Sequence, residues 1–303
     1  MSIILPERLA SAALLRGEGI EVLQQPSQDG AVLRIGLLNL MPDKSRTEVQ
    51  FGRLLGATGR RVELVPGLPV SHRAGVAGME HYARWGKASL PRNLDGLIVT
   101  GAPLEHVPFE DVVYWRDLVQ ICDWAAAHVN STIYICWAAF AALYSFHGVP
   151  MRVLPQKLSG VFEQQVMNAQ APLTARLGTS FSCPVSRHAE VSVDDVPWQK
   201  DLVCLAGSPR SGPCLISDER CNAFYMFNHL EYDADTLKFE YLRDSSRRAG
   251  TPLPENYWPN DDVSKPPPLV WRRAAKMLFA NWLEILAARE GADSPPHYSR
   301  SAA

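Results

Sequence analysis

A three-layer α/β sandwich built on a mostly parallel sheet is the fold class the sequence predicts. Near-continuous apolar runs at 32–39, 94–100 and 132–135 have the pattern of strands covered on both faces, and stretches of helical apolar spacing separate them. With 303 residues, 47% of them hydrophobic and 20% charged, the chain can bury a substantial core and is unlike a disordered one.

The first run, Val32 to Asn39, leads into a helix-like stretch from about Ser45 to Leu55, which opens a βα unit. Arg61 to Val65 reads as the next strand, and the Gly/Pro-punctuated region 67–92 as a long functional excursion. Leu94 to Thr100 is a third strand, ending at Gly101-Ala102-Pro103. A helix is expected from about Asp111 to His128, with Val112, Trp115, Leu118, Val119 and Cys122 at helical spacing. Thr132 to Ile135 is a fourth strand that ends at Cys136. Residues 155–222 shift to short strands separated by Gly, Pro, Ser and Asp, a mixed insertion expected to cover one edge of the sheet. Ala223 to Phe227 returns to a strand. A helix follows from about Asp233, a reasonable N-cap, to Ser245, with Leu237 and Tyr241 on one face. The Pro/Asn/Asp-rich segment 251–268 reads as irregular, and an amphipathic helix runs from about Val270 to Ala288 with Leu278, Trp282 and Ile285 toward the core. One domain over 1–290 and a disordered tail over 291–303 are expected.

Charge excludes several functions. The chain has 30 Lys+Arg against 32 Asp+Glu, and its basic residues gather only in pairs such as Arg60-Arg61, so no nucleic acid or anionic membrane is expected as partner. No apolar run reaches the roughly 18 residues of a membrane span, and the N-terminus lacks the features of a secretory signal. A cytoplasmic location is expected. The six cysteines are scattered and read as reduced thiols. Gly17-Glu18-Gly19 lacks the third glycine of a dinucleotide fingerprint, and no compact metal set occurs. His147, His188 and His297 stand alone and read as surface or structural histidines. Neither a metal nor a bound cofactor is expected.

Two signals carry chemistry. Cys136 ends a buried strand and precedes Trp137-Ala138-Ala139-Phe140-Ala141-Ala142-Leu143, rich in helix formers, so it occupies a nucleophile-elbow position. There a helix N-terminus favours a thiolate and offers N–H groups to an oxyanion. A small buried hydrophobe is the ordinary alternative for a free cysteine. His229-Leu230-Glu231 lies just beyond another strand-like run, and residues two apart in extended chain project to one side, so Glu231 can orient the imidazole. A Cys-His-Glu triad above the sheet follows if the two strand ends meet; a structural histidine and a glutamate near a helix N-terminus are the alternative. The N–H groups near Trp137 and in the Gly101-Ala102 turn are candidate oxyanion donors.

A longer series of motifs has a family likeness. Asn39-Leu40-Met41-Pro42-Asp43-Lys44, Thr47-Glu48-Val49-Gln50-Phe51, Thr100-Gly101-Ala102-Pro103, Ile135-Cys136-Trp137, Lys157 to Glu163, His229-Leu230-Glu231-Tyr232-Asp233, Glu240 to Asp244, Asn256-Tyr257-Trp258-Pro259 and Asn281-Trp282-Leu283 resemble, in order, the homoserine O-acyltransferases of the MetA family over about residues 1–290. The resemblance implies a class I glutamine amidotransferase-like (flavodoxin-like) fold. It also implies an acyltransferase of methionine biosynthesis that moves an acyl group from acyl-CoA, a substrate and not a cofactor, to the hydroxyl of homoserine, and a homodimer. Carried over by position, Cys136 is the acyl-accepting nucleophile, His229 the general acid/base and Glu231 its orienting partner. Lys157, Ser186 and Arg243 match positions that bind the amino acid; an arginine fork suits a carboxylate. Glu105 matches a position that goes with acetyl rather than succinyl donors. Three departures bear on pocket shape: Leu230 where the family usually has Pro, Ala138-Ala139-Phe140 for Gly-Ala-Gln, and Gln164 where His is frequent. Homoserine O-acetyltransferase is the expected activity, with succinyl transfer, serine acylation, an amidotransferase-like hydrolase or a non-catalytic homologue as the competing outcomes.

Overall fold

The computed structural model describes residues 2–6, 9–25, 31–73 and 79–289. Its first elements, β1 (Ser2–Ile4), α1 (Ala10–Gly17) and β2 (Glu21–Leu23), make a small parallel unit at one edge of the sheet. Three-residue strands are too short for an apolar period to register, and the sequence predicts none of this unit.

The parallel part continues with β3 (Leu33–Leu38), α2 (Lys44–Gly56), β4 (Val62–Pro69), β5 (Ala83–Trp85), β6 (Gly96–Val99), α3 (Trp115–His128), β7 (Ser131–Ile135) and α4 (Trp137–His147). Asp43 caps α2 by accepting from the Arg46 amide at 3.1 Å. The chain then forms β8 (Arg152–Val166), β9 (Ser180–Glu190), β10 (Leu202–Ser208), β11 (Gly212–Asp218), β12 (Ala223–Met226), α5 (Thr236–Arg247) and α6 (Arg272–Arg289). The sheet order is β2-β1-β4-β3-β6-β7-β12-β11-β10-β8-β9, with β5 on β4. Pairings from β2 through β12 are parallel, and those from β12 to β9 antiparallel.

Two apolar layers sandwich the sheet. On one side Leu15, Leu54, Leu278 and Trp282 from α1, α2 and α6 pack on Ile35, Ile98 and Ile133. On the other, Leu118 and Ile121 of α3 and Phe140 and Leu143 of α4 pack on Leu97, Val99 and Tyr225. Double coverage buries β6 and β7 throughout, which is why their sequences run apolar without alternation. Helix α4 is enclosed from Trp137 to Leu143, and its alanines let it lie close to the sheet. Gly96 serves the other face: a Cβ there would lie 2.7 Å from Leu286 and 2.9 Å from the Trp282 ring.

Several expectations change. Residues 155–222 contain two long strands, β8 and β9, and extend the sheet instead of merely covering its edge. Pro155 falls where the β8–β9 register shifts, and Pro184 lies on the edge strand, so neither interrupts the hairpin as its residue type suggests. The helix expected from Asp111 divides into a 3₁₀ turn, Phe109–Asp111, and α3, because Val112 is extended (φ −69°, ψ 124°). Asp233 is not the cap of α5, which starts at Thr236 after Asp235; its carboxylate pairs with Arg53 instead. The tail expected over 291–303 lies outside the described residues. Among the described residues no helix is long and apolar enough to cross a membrane.

Gly96→Ala should destabilise the fold by about 1–3 kcal/mol, the usual penalty of overpacking a core. A denaturant titration should show a lower midpoint with an unchanged slope.

Candidate active site

The turn from β7 into α4 places Cys136 in a backbone conformation that L-residues rarely adopt, φ 50° and ψ −117°. Its amide donates to Met226 O at 2.8 Å, and its carbonyl accepts from Ala139 N at 2.9 Å. The residue thus belongs to the sheet on one side and to the helix on the other. Gly101 gives it room: a Cβ there would be 3.2 Å from the Cys136 Cβ and 3.7 Å from Trp137 N. The Gly101-Ala102 turn therefore adjoins the first amide of α4 beside the thiol.

Past β12 the chain brings His229 to Cys136. Its Nδ1 donates to Glu231 Oε1 at 2.6 Å, and its ring stacks on Tyr232 with centroids 4.2 Å apart. Burial opposes a charge on this imidazole, but Glu231 and the hydrogen-bonded Cys136 outweigh it and raise its pKa well above the ordinary value. The remaining ring nitrogen serves the thiol. Such a set can exchange a proton between sulfur and imidazole while a carboxylate holds the ring.

Tyr232 connects this set to a second one. Its hydroxyl donates to Glu240 Oε1 at 2.7 Å, while Ser186 Oγ donates to Glu240 Oε2 in a short contact. Lys157 Nζ bridges Glu240 Oε2 (3.1 Å) and Asp244 Oδ2 (2.8 Å), and Arg243 Nε reaches Asp244 Oδ1 at 2.8 Å. Burial works against a charge on Glu240, yet Lys157, Ser186 and Tyr232 prevail and keep its pKa below the usual carboxylate range. Lys157, Ser186 and Arg243 are thus gathered around two carboxylates that the sequence reading left unassigned. Their signal was available, since Glu240 and Asp244 are four apart on one face of α5.

Glu105 stands apart from that network, half-buried on the loop after β6, where it faces His188. The His188 ring lies 5.2 Å from that of His106, so it is no solitary histidine. A groove of about 300 Å³ lies on each side of this loop. One is lined by Leu40, Lys44, His72, Ala102 and Tyr114, the other by Glu105, Val107, Phe109, Tyr144 and Met151. In the first, burial pushes Lys44 down to about 8.

His147 is not solitary either. Its Nε2 lies 2.6 Å from Asp218 Oδ2, which also accepts from Tyr225 Oη at 2.8 Å. His147, Asp218 and Cys221 are donor types a metal could use, with ligand atoms all within 4.8 Å of one another, but the Asp218 carboxylate already accepts hydrogen bonds from His147, the Tyr225 hydroxyl and the Cys221 amide. His297 lies outside the described residues.

The fold is that of the glutamine amidotransferases. A glutamine amidotransferase from Thermotoga maritima superposes with a TM-score of 0.54 at 10% identity, covering 86% of this chain and 98% of that one. One from Methylobacillus flagellatus gives 0.55 at 13% identity, with 89% and 98% covered. Sequence relatives define the family more narrowly. A homoserine O-acetyltransferase of Chelativorans sp. (strain BNC1) is 41% identical over 290 residues, 93% of each chain. One from Brucella canis is 42% identical over 290 residues, covering 93% of this chain and 94% of the relative. The homoserine O-succinyltransferase family profile matches residues 2–292, and the chain belongs to that family of acyltransferases.

Glu231→Gln should lower the pH at which His229 titrates, because the carboxylate is the largest influence holding the proton on. The folded pKa of His229 exceeds the unfolded value of about 6.5, so the stabilisation it contributes is complete below that pH and is lost as pH rises through the folded value. Histidine ring NMR of the wild type and variant, beside melting curves across pH, measures both effects.

Proposed function

We propose that this chain transfers an acetyl group from acetyl-CoA to the side-chain hydroxyl of L-homoserine through a thioester on Cys136. The observation that carries this reading is the strained elbow at Cys136 beside an imidazole that Glu231 orients and keeps cationic. In the first half-reaction the Cys136 sulfur attacks the thioester carbonyl and the C–S bond to CoA breaks. The departing CoA thiolate takes the proton from His229. In the second, His229 removes the hydroxyl proton of homoserine as its oxygen attacks the Cys136 thioester, which releases the sulfur. The amides of Trp137 and Ala102 would receive the oxyanion in both steps, a role typically worth about 3 kcal/mol per donor. CoA enters and leaves as a substrate.

Arg243 and Lys157 are the cations for the α-carboxylate of the acceptor, with Ser186 beside them. Glu240 and Asp244 hold those cations in place and offer counter-charge for the substrate ammonium. The preference for acetyl rests on Glu105. A carboxylate on the acyl side occupies the space beyond an acetyl methyl and repels the distal carboxylate of a succinyl chain. Relatives named homoserine O-acetyltransferase at 41% and 42% identity support the same choice.

The decisive experiment crosses acetyl-CoA and succinyl-CoA with homoserine, serine and water and identifies each product by mass. O-acetylhomoserine should dominate. O-succinylhomoserine as the main product would reassign the donor, O-acetylserine the acceptor, and free CoA without an acylated amino acid would point to a hydrolase. Incubated with acetyl-CoA alone, the wild type should gain one acetyl group on Cys136, and Cys136→Ala should gain none and lose turnover. Glu105→Gly should raise kcat/KM for succinyl-CoA relative to acetyl-CoA by at least tenfold; an unchanged ratio would remove Glu105 from the specificity argument.

A further inference from the structure

The Gly/Pro-punctuated excursion 67–92 takes no part in the chemistry above, yet its described residues are anchored by polar contacts. The Tyr82 hydroxyl donates to the buried Glu48 carboxylate of α2 in a short contact and accepts from Asn39 Nδ2 at 2.9 Å. Ser71 N donates to Asp117 Oδ2 on α3 at 2.9 Å, and Arg84 Nη1 to His72 O at the same distance. The excursion is thereby held against α2 and α3, where His72 and Arg73 wall the first of the two grooves beside the loop after β6.

That groove leads to the thiol. Ala102 lines it, and a Cβ on the preceding Gly101 would lie 3.2 Å from the Cys136 Cβ. Its charged lining is cationic: Lys44 and Arg73 border it, and no Asp or Glu does. Leu40 and Leu104 add apolar surface, and the rings of His72 and Tyr114 stack with centroids 5.1 Å apart. His72 Nδ1 is buried without a hydrogen-bond partner. Burial first, then the charges of Lys44 and Arg84, push this imidazole down to about 4, so the ring is neutral among cations at neutral pH. The second groove has the opposite charge, with Glu105 and Glu110 in its lining and no Lys or Arg. Lys157, Ser186, Glu240 and Arg243 line neither groove.

Coenzyme A carries its phosphates at one end and a long pantetheine arm at the other. Carboxylates repel such a ligand, and a cationic mouth with an apolar wall suits it. We propose that acyl-CoA enters through the first groove, its pantetheine arm along Leu40, Ala102 and Leu104 and its phosphates at the exposed Arg73. The thioester then reaches the amides of Ala102 and Trp137, and the acyl group crosses the loop toward Glu105. This inference rests on acetyl-CoA being the donor.

The test compares acetyl-CoA with acetylpantetheine, which has the same thioester and arm but no nucleotide and no phosphate. Arg73→Glu reverses a charge at an exposed position. The ratio of kcat/KM for acetyl-CoA to that for acetylpantetheine should fall by about tenfold, through KM for acetyl-CoA, and added salt should narrow the gap from the wild type. Calorimetric titration with CoA alone should show the same weakening. Val153→Glu places a carboxylate at an exposed position of the second groove and should leave that ratio at the wild-type value. A ratio that does not move in Arg73→Glu, whether both rates fall or neither does, overturns the inference. A ratio that falls in Val153→Glu alone overturns it as well, by placing the donor in the second groove. CoA binding that depends on Arg73 in a chain that transfers no acetyl group would support the groove and overturn the proposed activity; a wild type that binds no CoA overturns both.

Discussion

The site depends on one strained residue. Holding Cys136 at φ 50°, ψ −117° costs on the order of 1–3 kcal/mol, and the cost persists only because the surroundings over-determine the turn. Its amide is fixed to β12 and its carbonyl to the first turn of α4, so neither can rotate without breaking a hydrogen bond. Behind it α4 is buried on all sides from Trp137 to Leu143, which denies the helix any freedom to move and relieve the turn. Gly101 completes the arrangement by withholding a side chain from the space the elbow fills. The turn sets the buried Cys136 at the carboxyl end of the sheet, where the loops of neighbouring strands can reach it.

What reaches it is organised by two carboxylates, one buried and one half-buried. Glu231 accepts a hydrogen bond from the imidazole Nδ1, which leaves the other nitrogen to the thiol. Glu240 accepts from Tyr232, Ser186 and Lys157 at once, so that its charge is matched by donors on three different elements. Tyr232 belongs to both groups, since its ring stacks on His229 while its hydroxyl binds Glu240. Any ligand that displaces Lys157 or Ser186 from Glu240 therefore acts on a carboxylate joined to the His229 imidazole through Tyr232.

Much of this was legible in the sequence, and the rest was hidden for physical reasons. The parallel strands announced themselves because double burial demands unbroken apolar runs. Cys136 and His-x-Glu were legible because their placement at strand ends is a local matter. Glu240 and Asp244 were not, since a charged residue in a helix reads as solvated until tertiary structure shows what faces it. The β8–β9 hairpin was misread through its prolines, which an edge strand and a register shift accommodate. His147 gave no sign of its partner because Asp218 lies 71 residues away in sequence.

Strand β9 joins these parts, and its register explains how. Ser186 and His188 project to one side: Ser186 to the Glu240 network, His188 to a position facing both Glu105 and Lys157. Arg187 projects to the other side, where its guanidinium donates to Ala189 O and Ser211 O. Three consecutive residues thus reach the Glu240 network, the buried interior and the loop carrying Glu105. The assignment holds only in one register, because slipping a strand by a single residue exchanges its two faces. A slip here would put a guanidinium in the place of the Ser186 hydroxyl at Glu240 and a hydroxyl in the place of the buried guanidinium. Pairing of Ser186 with Ser159 and Pro184 with Val161, together with the Glu255 backbone bonded to Ser159 and Val161 on the far side of β8, holds the hairpin against that slip. The irregular segment after α5 is therefore as much a part of the site's construction as the strands it clamps.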